Sequence, residues 1–149
     1  LRVVAQEILD VDTTGIPTGH RINVAGTHFD FKELSHLSHS HKPVIIDHNY
    51  CVSQNKAHLR PIAWLLGGNT AMELASTEPG LQVYTGSGLG AELATSPNGR
   101  AFHPFAGIAL EPQIWPDSPN QPKFAQSVLR PDDTYHHQIE YRFRQRAPL

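Results

Sequence analysis

The 149 residues predict an all-β chain whose antiparallel strands pack as a sandwich. Three observations carry this. Short apolar or alternating runs recur along the chain, each bounded by Gly, Pro, Asn or Asp. No stretch holds the 3.6-residue apolar period long enough for a substantial helix. Near the C-terminus, Tyr135, His137, Ile139, Tyr141 and Phe143 alternate with His136, Gln138, Glu140, Arg142 and Arg144, so that one face is largely apolar and the other polar.

In chain order, residues 1–9 read as a strand rich in β-branched residues, followed by a turn-rich connection over 10–17. Residues 21–25 form a short strand that Gly26 ends. Residues 32–42 read as a polar loop carrying His36, His39 and His41, and 44–53 as a strand through Asp47, His48 and Asn49. Runs 59–66 and 71–75 flank Gly67, Gly68 and Asn69, a hairpin signal. Pro61 cannot donate to a ladder, so it places the first of these runs at an edge or a bulge. The Pro79-Gly80 turn leads into a strand over 81–85. A long glycine-bearing loop over 86–104 follows, with a second turn at 97–99. Residues 107–110 are a buried-strand run ending in Glu111, after which Pro112 and Pro116 are expected to stop further pairing. Arg142, Arg144 and Arg146 on the last strand read as solvated charge.

A length of 149 residues suits one domain with its own core. Hydrophobic content of 39% and charged content of 17% fit a globular chain. A net charge of −2 without a basic run argues against nucleic acid as partner, and no apolar run is long enough to span a membrane. Cys51 is the only cysteine, which excludes an internal disulfide and favours a reducing, cytoplasmic setting. The chain starts at Leu1, already in a strand pattern, and its only methionine is Met72. The expectation is a piece that lacks an N-terminal portion.

Glu111 is placed where a buried strand meets an irregular loop. A carboxylate there is partly withdrawn from water, a setting that suits a general base, although position alone favours a solvated strand end. The ordered series around it decides the matter. Thr14 to Gly19, Phe29-Asp30-Phe31, Ile46-Asp47-His48-Asn49, Met72-Glu73-Leu74, Thr77 through Gly86 and Gly107 through Asn120 follow one another almost from end to end. Together they resemble the galactose mutarotase (aldose 1-epimerase) family.

The resemblance implies the C-terminal half of a large β-sandwich, often called a supersandwich, with residues 1–149 a portion of one such domain. It also implies interconversion of the α and β anomers of a free hexose such as galactose or glucose, with no cofactor and no metal. Glu111 matches the family's general base in the pattern Leu-Glu-x-Gln, Asp47 a carboxylate that holds sugar hydroxyls, and Gln82 an amide facing the sugar. An ionised carboxylate accepts strong hydrogen bonds from hydroxyls, and an amide both donates and accepts, so the residue types suit a polyol. Tyr84 and Trp115 offer an apolar wall, but strand aromatics are more often core.

Three departures stand out. The family's acid, a histidine in an Asn-His motif, has no counterpart in this chain, nor have its partnering arginine and second histidine; the expectation is that they lie outside it. Pro112 follows Glu111 directly where the family often has Thr, and Gly88 stands where a bulkier aromatic is usual.

Two other patterns carry less. His36, His39 and His41 lack the companion ligands of a metal site. Gly86, Gly88 and Ala91 fit a dinucleotide pattern whose helix Pro97 would stop. Two alternatives stay open beside the mutarotase: a non-catalytic sugar-binding or regulatory relative, and a sugar-phosphate epimerase relative, which would want extra Arg or Lys.

Overall fold

A computed structural model describes residues 1–90, 98 and 101–145. The strands are β1 (Arg2–Val3), β2 (Glu7–Val11), β3 (Pro17–Asn23), β4 (Ser38–His39), β5 (Lys42–Pro43), β6 (Asp47–Cys51), β7 (Arg60–Gly67), β8 (Thr70–Ser76), β9 (Gly80–Tyr84), β10 (Ala109–Gln113) and β11 (Ile139–Gln145). One sheet has the order β1-β7-β8-β11, a second β10-β9-β6-β2-β3, and β4 and β5 form a separate ribbon. Every pairing is antiparallel. Among the described residues the only helix is one 3₁₀ turn, Ser118–Asn120.

The two large sheets form a sandwich. Val3, Ile62, Ala63 and Leu74 from the first join Ile8, Tyr50, Leu81 and Val83 from the second in a single core cluster. Period-2 alternation in the second sheet divides its residues cleanly. Leu81, Val83 and Tyr50 point into the core, whereas Gln82, Asn49 and Asp47 fall on the opposite face. A second cluster of Leu9, Trp115 and Phe124 packs on that outer face, with Cys51 against it.

The run over residues 1–9 is not one strand. It divides into β1 and β2, which belong to different sheets. The core residues explain the break: Val3, Ala5 and Ile8 are all buried in the main cluster, and no single period-2 strand puts odd and even positions on one face. Residues 32–42 are less irregular than expected, since β4 and β5 pair across Ser40 and His41, both at positive φ (49° and 65°), as a two-residue hairpin loop of this kind requires.

The β7–β8 hairpin closes through Gly67 paired with Thr70, with Gly68 at φ 53° in the loop, a conformation that favours glycine. Pro61 marks a bulge, not an edge: β7 has partners on both sides, and its register shifts between Pro61 and Ala63.

β10 runs further than predicted. It pairs with β9 from Ala109 to Gln113, so Glu111 lies in mid-strand. Pro112 is tolerated because β10 is an edge strand, with a partner on one side only among the described residues.

β11 begins at Ile139 instead of Tyr135. Its apolar face is the inward one, since Tyr141 sits opposite the buried Leu74 and Phe143 opposite Met72. Yet Ile139, Tyr141 and Phe143 are 42%, 48% and 65% exposed. The outward row is cross-linked, with Arg2 stacked 4.7 Å over Trp64, Trp64 Nε1 donating to Glu73, and Arg142 paired with Glu73 and Glu140. Arg142 is therefore part of a cross-strand row and not simply solvated. The turn expected at 97–99, Ala91 of the glycine pattern and Arg146 lie outside the described residues.

Candidate active site

Register builds the site. In the ladders β6–β9 and β9–β10, Asn49 sits opposite Gln82, and Gln82 opposite Glu111. One rung beyond, Asp47 sits opposite Tyr84 and Tyr84 opposite Ala109. The side chains of Asp47, Asn49, Gln82, Tyr84 and Glu111 share the outer face, where they line an open cleft of about 380 Å³ with Gln113. Leu9, Val11, Pro17 and Pro116 supply its apolar flank. The three residues singled out in the sequence, Glu111, Asp47 and Gln82, thus meet in one cleft.

Gln82 Nε2 donates to Asp47 Oδ1 at 2.7 Å, holding the amide against the carboxylate. Glu111 is exposed in the cleft, so the expected partial withdrawal from water at a strand end does not apply. Its mid-strand position aims it instead, because the flanking Leu110 and Pro112 turn inward. Tyr84 joins the lining, and its hydroxyl accepts a hydrogen bond from Gly88 N at 2.7 Å. A Cβ on Gly88 would stand 2.9 Å from that hydroxyl, so a larger residue there would shift the tyrosine tip or the loop.

Trp115 is core rather than cleft wall. It is buried, its Nε1 donates to Pro79 O at 3.1 Å, and its ring meets Phe124 edge-on at 5.1 Å. Asp117 then accepts from Asn120 Nδ2 and from Gln121 Nε2, in that order the causes that hold its carboxyl below the ordinary range. Gln121 Nε2 also donates to Pro17 O at 3.0 Å. The segment after β10 is thereby strapped to the start of β3.

His48 points the other way, packed on Phe29 at 4.6 Å between ring centroids. Burial is the main cause that lowers its pKa, with the Asp47 charge opposing. Among the described residues no histidine, lysine or arginine lines the cleft. His36 borders a separate depression with His28 and Asp30, and no three His, Cys, Asp or Glu among the described residues are placed to hold a metal.

Two site residues escaped the sequence reading. Gln113 follows Glu111 by two positions, so strand alternation puts it on the same face. Asn49 stands in the same relation to Asp47.

Comparison with known proteins shows the family and the fold. The family model described as aldose 1-epimerase matches residues 1–142. Mouse galactose mutarotase is 38% identical over 150 residues, covering 95% of this chain and 42% of the relative. The aldose 1-epimerase of Escherichia coli K12 is 34% identical over 158 residues, covering 96% and 44%. The crystal structure of an aldose epimerase homologue from C. elegans superposes with a TM-score of 0.84 at 22% identity, covering 98% of this chain and 45% of that one, a likeness of fold. The chain spans less than half the length of the relatives it matches.

Proposed function

The chain belongs to the aldose 1-epimerase family, and from that premise we propose that it carries the general base and part of the sugar site of a mutarotase acting on free hexoses such as galactose. The observation that carries the reading is the meeting of Glu111, Gln82 and Asp47 in one open cleft. In this reading the Glu111 carboxylate takes the proton of the C1 hydroxyl while an acid protonates the ring oxygen. The C1–ring-oxygen bond breaks as the C1 carbonyl forms. Rotation about C1–C2 and return of the ring hydroxyl to the other face give the other anomer, Glu111 giving its proton to the carbonyl oxygen as the acid takes back the proton of the attacking hydroxyl. Asp47 and Gln82 hold hydroxyls while this happens.

The cleft holds no histidine among the described residues, so the acid comes, in this proposal, from sequence outside residues 1–149. The uncovered inner face of β11, with Tyr141 and Phe143, is consistent with further chain packing there. The same lack of an acid is what favours a non-catalytic sugar-binding relative as the second reading. A phosphorylated sugar is disfavoured, because no lysine or arginine among the described residues lines the cleft.

The test is Glu111→Gln in the protein as encoded. The amide cannot accept the C1 proton, so polarimetry on freshly dissolved α-galactose should show a rate lower by about 10²–10⁴, with sugar affinity retained. Rates near those of the parent would remove Glu111 from the role of base. Sugar binding without turnover in the parent would favour the second reading.

A further inference from the structure

Asn49 is a residue of the cleft that the proposed reaction leaves unused, and its state in the free protein is unusual. It is 2% exposed, and neither its amide nitrogen nor its oxygen has a hydrogen-bond partner. A buried, unpaired amide is destabilising, and native structures keep few of them. The space it occupies is provided by Gly80: a Cβ there would run into Asn49 Oδ1 and come within 2.9 Å of Gln113 O and of Trp115 Cδ1. The side chain therefore leans toward Gly80, and the group directly opposite it, Gln82, is bonded elsewhere, to Asp47 at 2.7 Å.

Directly opposed residues in an antiparallel ladder hold their Cβ atoms about 4.5–5.5 Å apart. A change of side-chain rotamer is enough to join the two amides. A hydroxyl that docks on Asp47 competes for the oxygen that Gln82 holds.

We propose that Asn49 is a positioning residue for Gln82. When a sugar occupies Asp47, the Gln82 amide turns from the carboxylate to the Asn49 amide, which is kept unpaired in the free protein for that exchange. The inference rests on the sugar-binding reading above and extends it to a residue that does not itself touch the sugar. It has a definite thermodynamic sign. Pairing on ligation removes a defect of the free protein, so part of the affinity derives from that relief. Replacing Asn49 by an apolar residue of the same shape should leave the free protein as stable or more stable, and at the same time weaken sugar binding.

The experiment uses Asn49→Leu, and Asn49→Ala in case leucine does not fit, in the protein as encoded. Galactose affinity is measured by titration calorimetry, and stability by urea unfolding without sugar. Expected is an affinity about two- to tenfold lower, the value of one neutral hydrogen bond, with no loss of urea midpoint for the leucine variant. A double-mutant cycle with Gln82→Met should show coupling in affinity and none in the stability of the free protein. Unchanged affinity in a folded variant overturns the proposal, as does coupling that appears in stability alone. Failure of both variants to fold would reveal a structural bond in the free state and overturn it as well. A parent protein that binds no galactose would refute the sugar-binding reading first, and this inference with it.

Discussion

Lys56→Met tests a buried carboxylate that underlies the strand carrying Gln82. Glu78, two residues before β9, is 0% exposed. Its Oε1 receives Lys56 Nζ at 2.7 Å and the Tyr135 hydroxyl at 3.1 Å, and its Oε2 has no partner. Lys56 Nζ also lies 3.6 Å from the Tyr135 ring centroid. Removing one member of a fully buried ion pair costs about 3–5 kcal/mol, because the other charge is left uncompensated. The Lys56 side chain is 35% exposed, so solvent screens part of that term and about 2 kcal/mol remains. Loss of the cation–π contact adds about 0.5–1 kcal/mol.

Lys56→Met should therefore lower the unfolding free energy by about 2–3 kcal/mol, as read from urea denaturation. Glu78→Met should cost much less, since it removes the buried charge and releases Lys56 to water. The double variant should recover most of the loss of the lysine variant. A change within 0.5 kcal/mol, the range of an ordinary surface substitution, would show that the Glu78 charge is compensated without Lys56 and would refute the reasoning.

Two further predictions concern β6. Asp47→Ala should weaken galactose binding by about 10–100-fold, the worth of a charge-assisted hydrogen bond; an unchanged dissociation constant by calorimetry would mean that Asp47 serves only to hold Gln82. His48 has its folded-state pKa lowered by burial, so protonation favours the unfolded chain. Its contribution is intact above the unfolded value of about 6.5 and is lost as pH falls from there toward the folded value. Between pH 7.5 and 5.5 the parent should lose more urea midpoint than His48→Gln, and equal losses would contradict the sign.

Glu111, Gln82 and Asp47 are legible in the sequence through the motifs that carry the family resemblance, and strand register brings them together. What stayed hidden depends on distant partners. The switch between sheets inside residues 1–9 leaves no local mark, since Val3 and Leu9 are both apolar and are buried in different clusters. The continuation of β10 through Pro112 required knowing that this strand lies at an edge. Trp115 was ambiguous between wall and core until Leu9 and Phe124 were seen around it. Glu78 carries no local sign of burial, because its partners Lys56 and Tyr135 come from two remote loops.

Segregation by face also bears on how the site can be altered. Inward residues of the second sheet, Ile8, Tyr50, Leu81 and Val83, build the core, and outward residues build the cleft. Cleft and core are thereby assigned to opposite parities of the same strands. The outer face is itself divided. At one end Leu9, Cys51 and Gly80 lie against or beneath Trp115, and polar atoms there are paired or excluded. At the other end Asp47 and Glu111 stand in solvent, with Tyr84 part-buried beside them. Asn49 occupies the boundary, two residues from Asp47 on one side and from Cys51 on the other. A polar group at that line is too deep for water and too near the cleft to be closed off by packing. On the proposal above, that position is what lets the cleft use the amide.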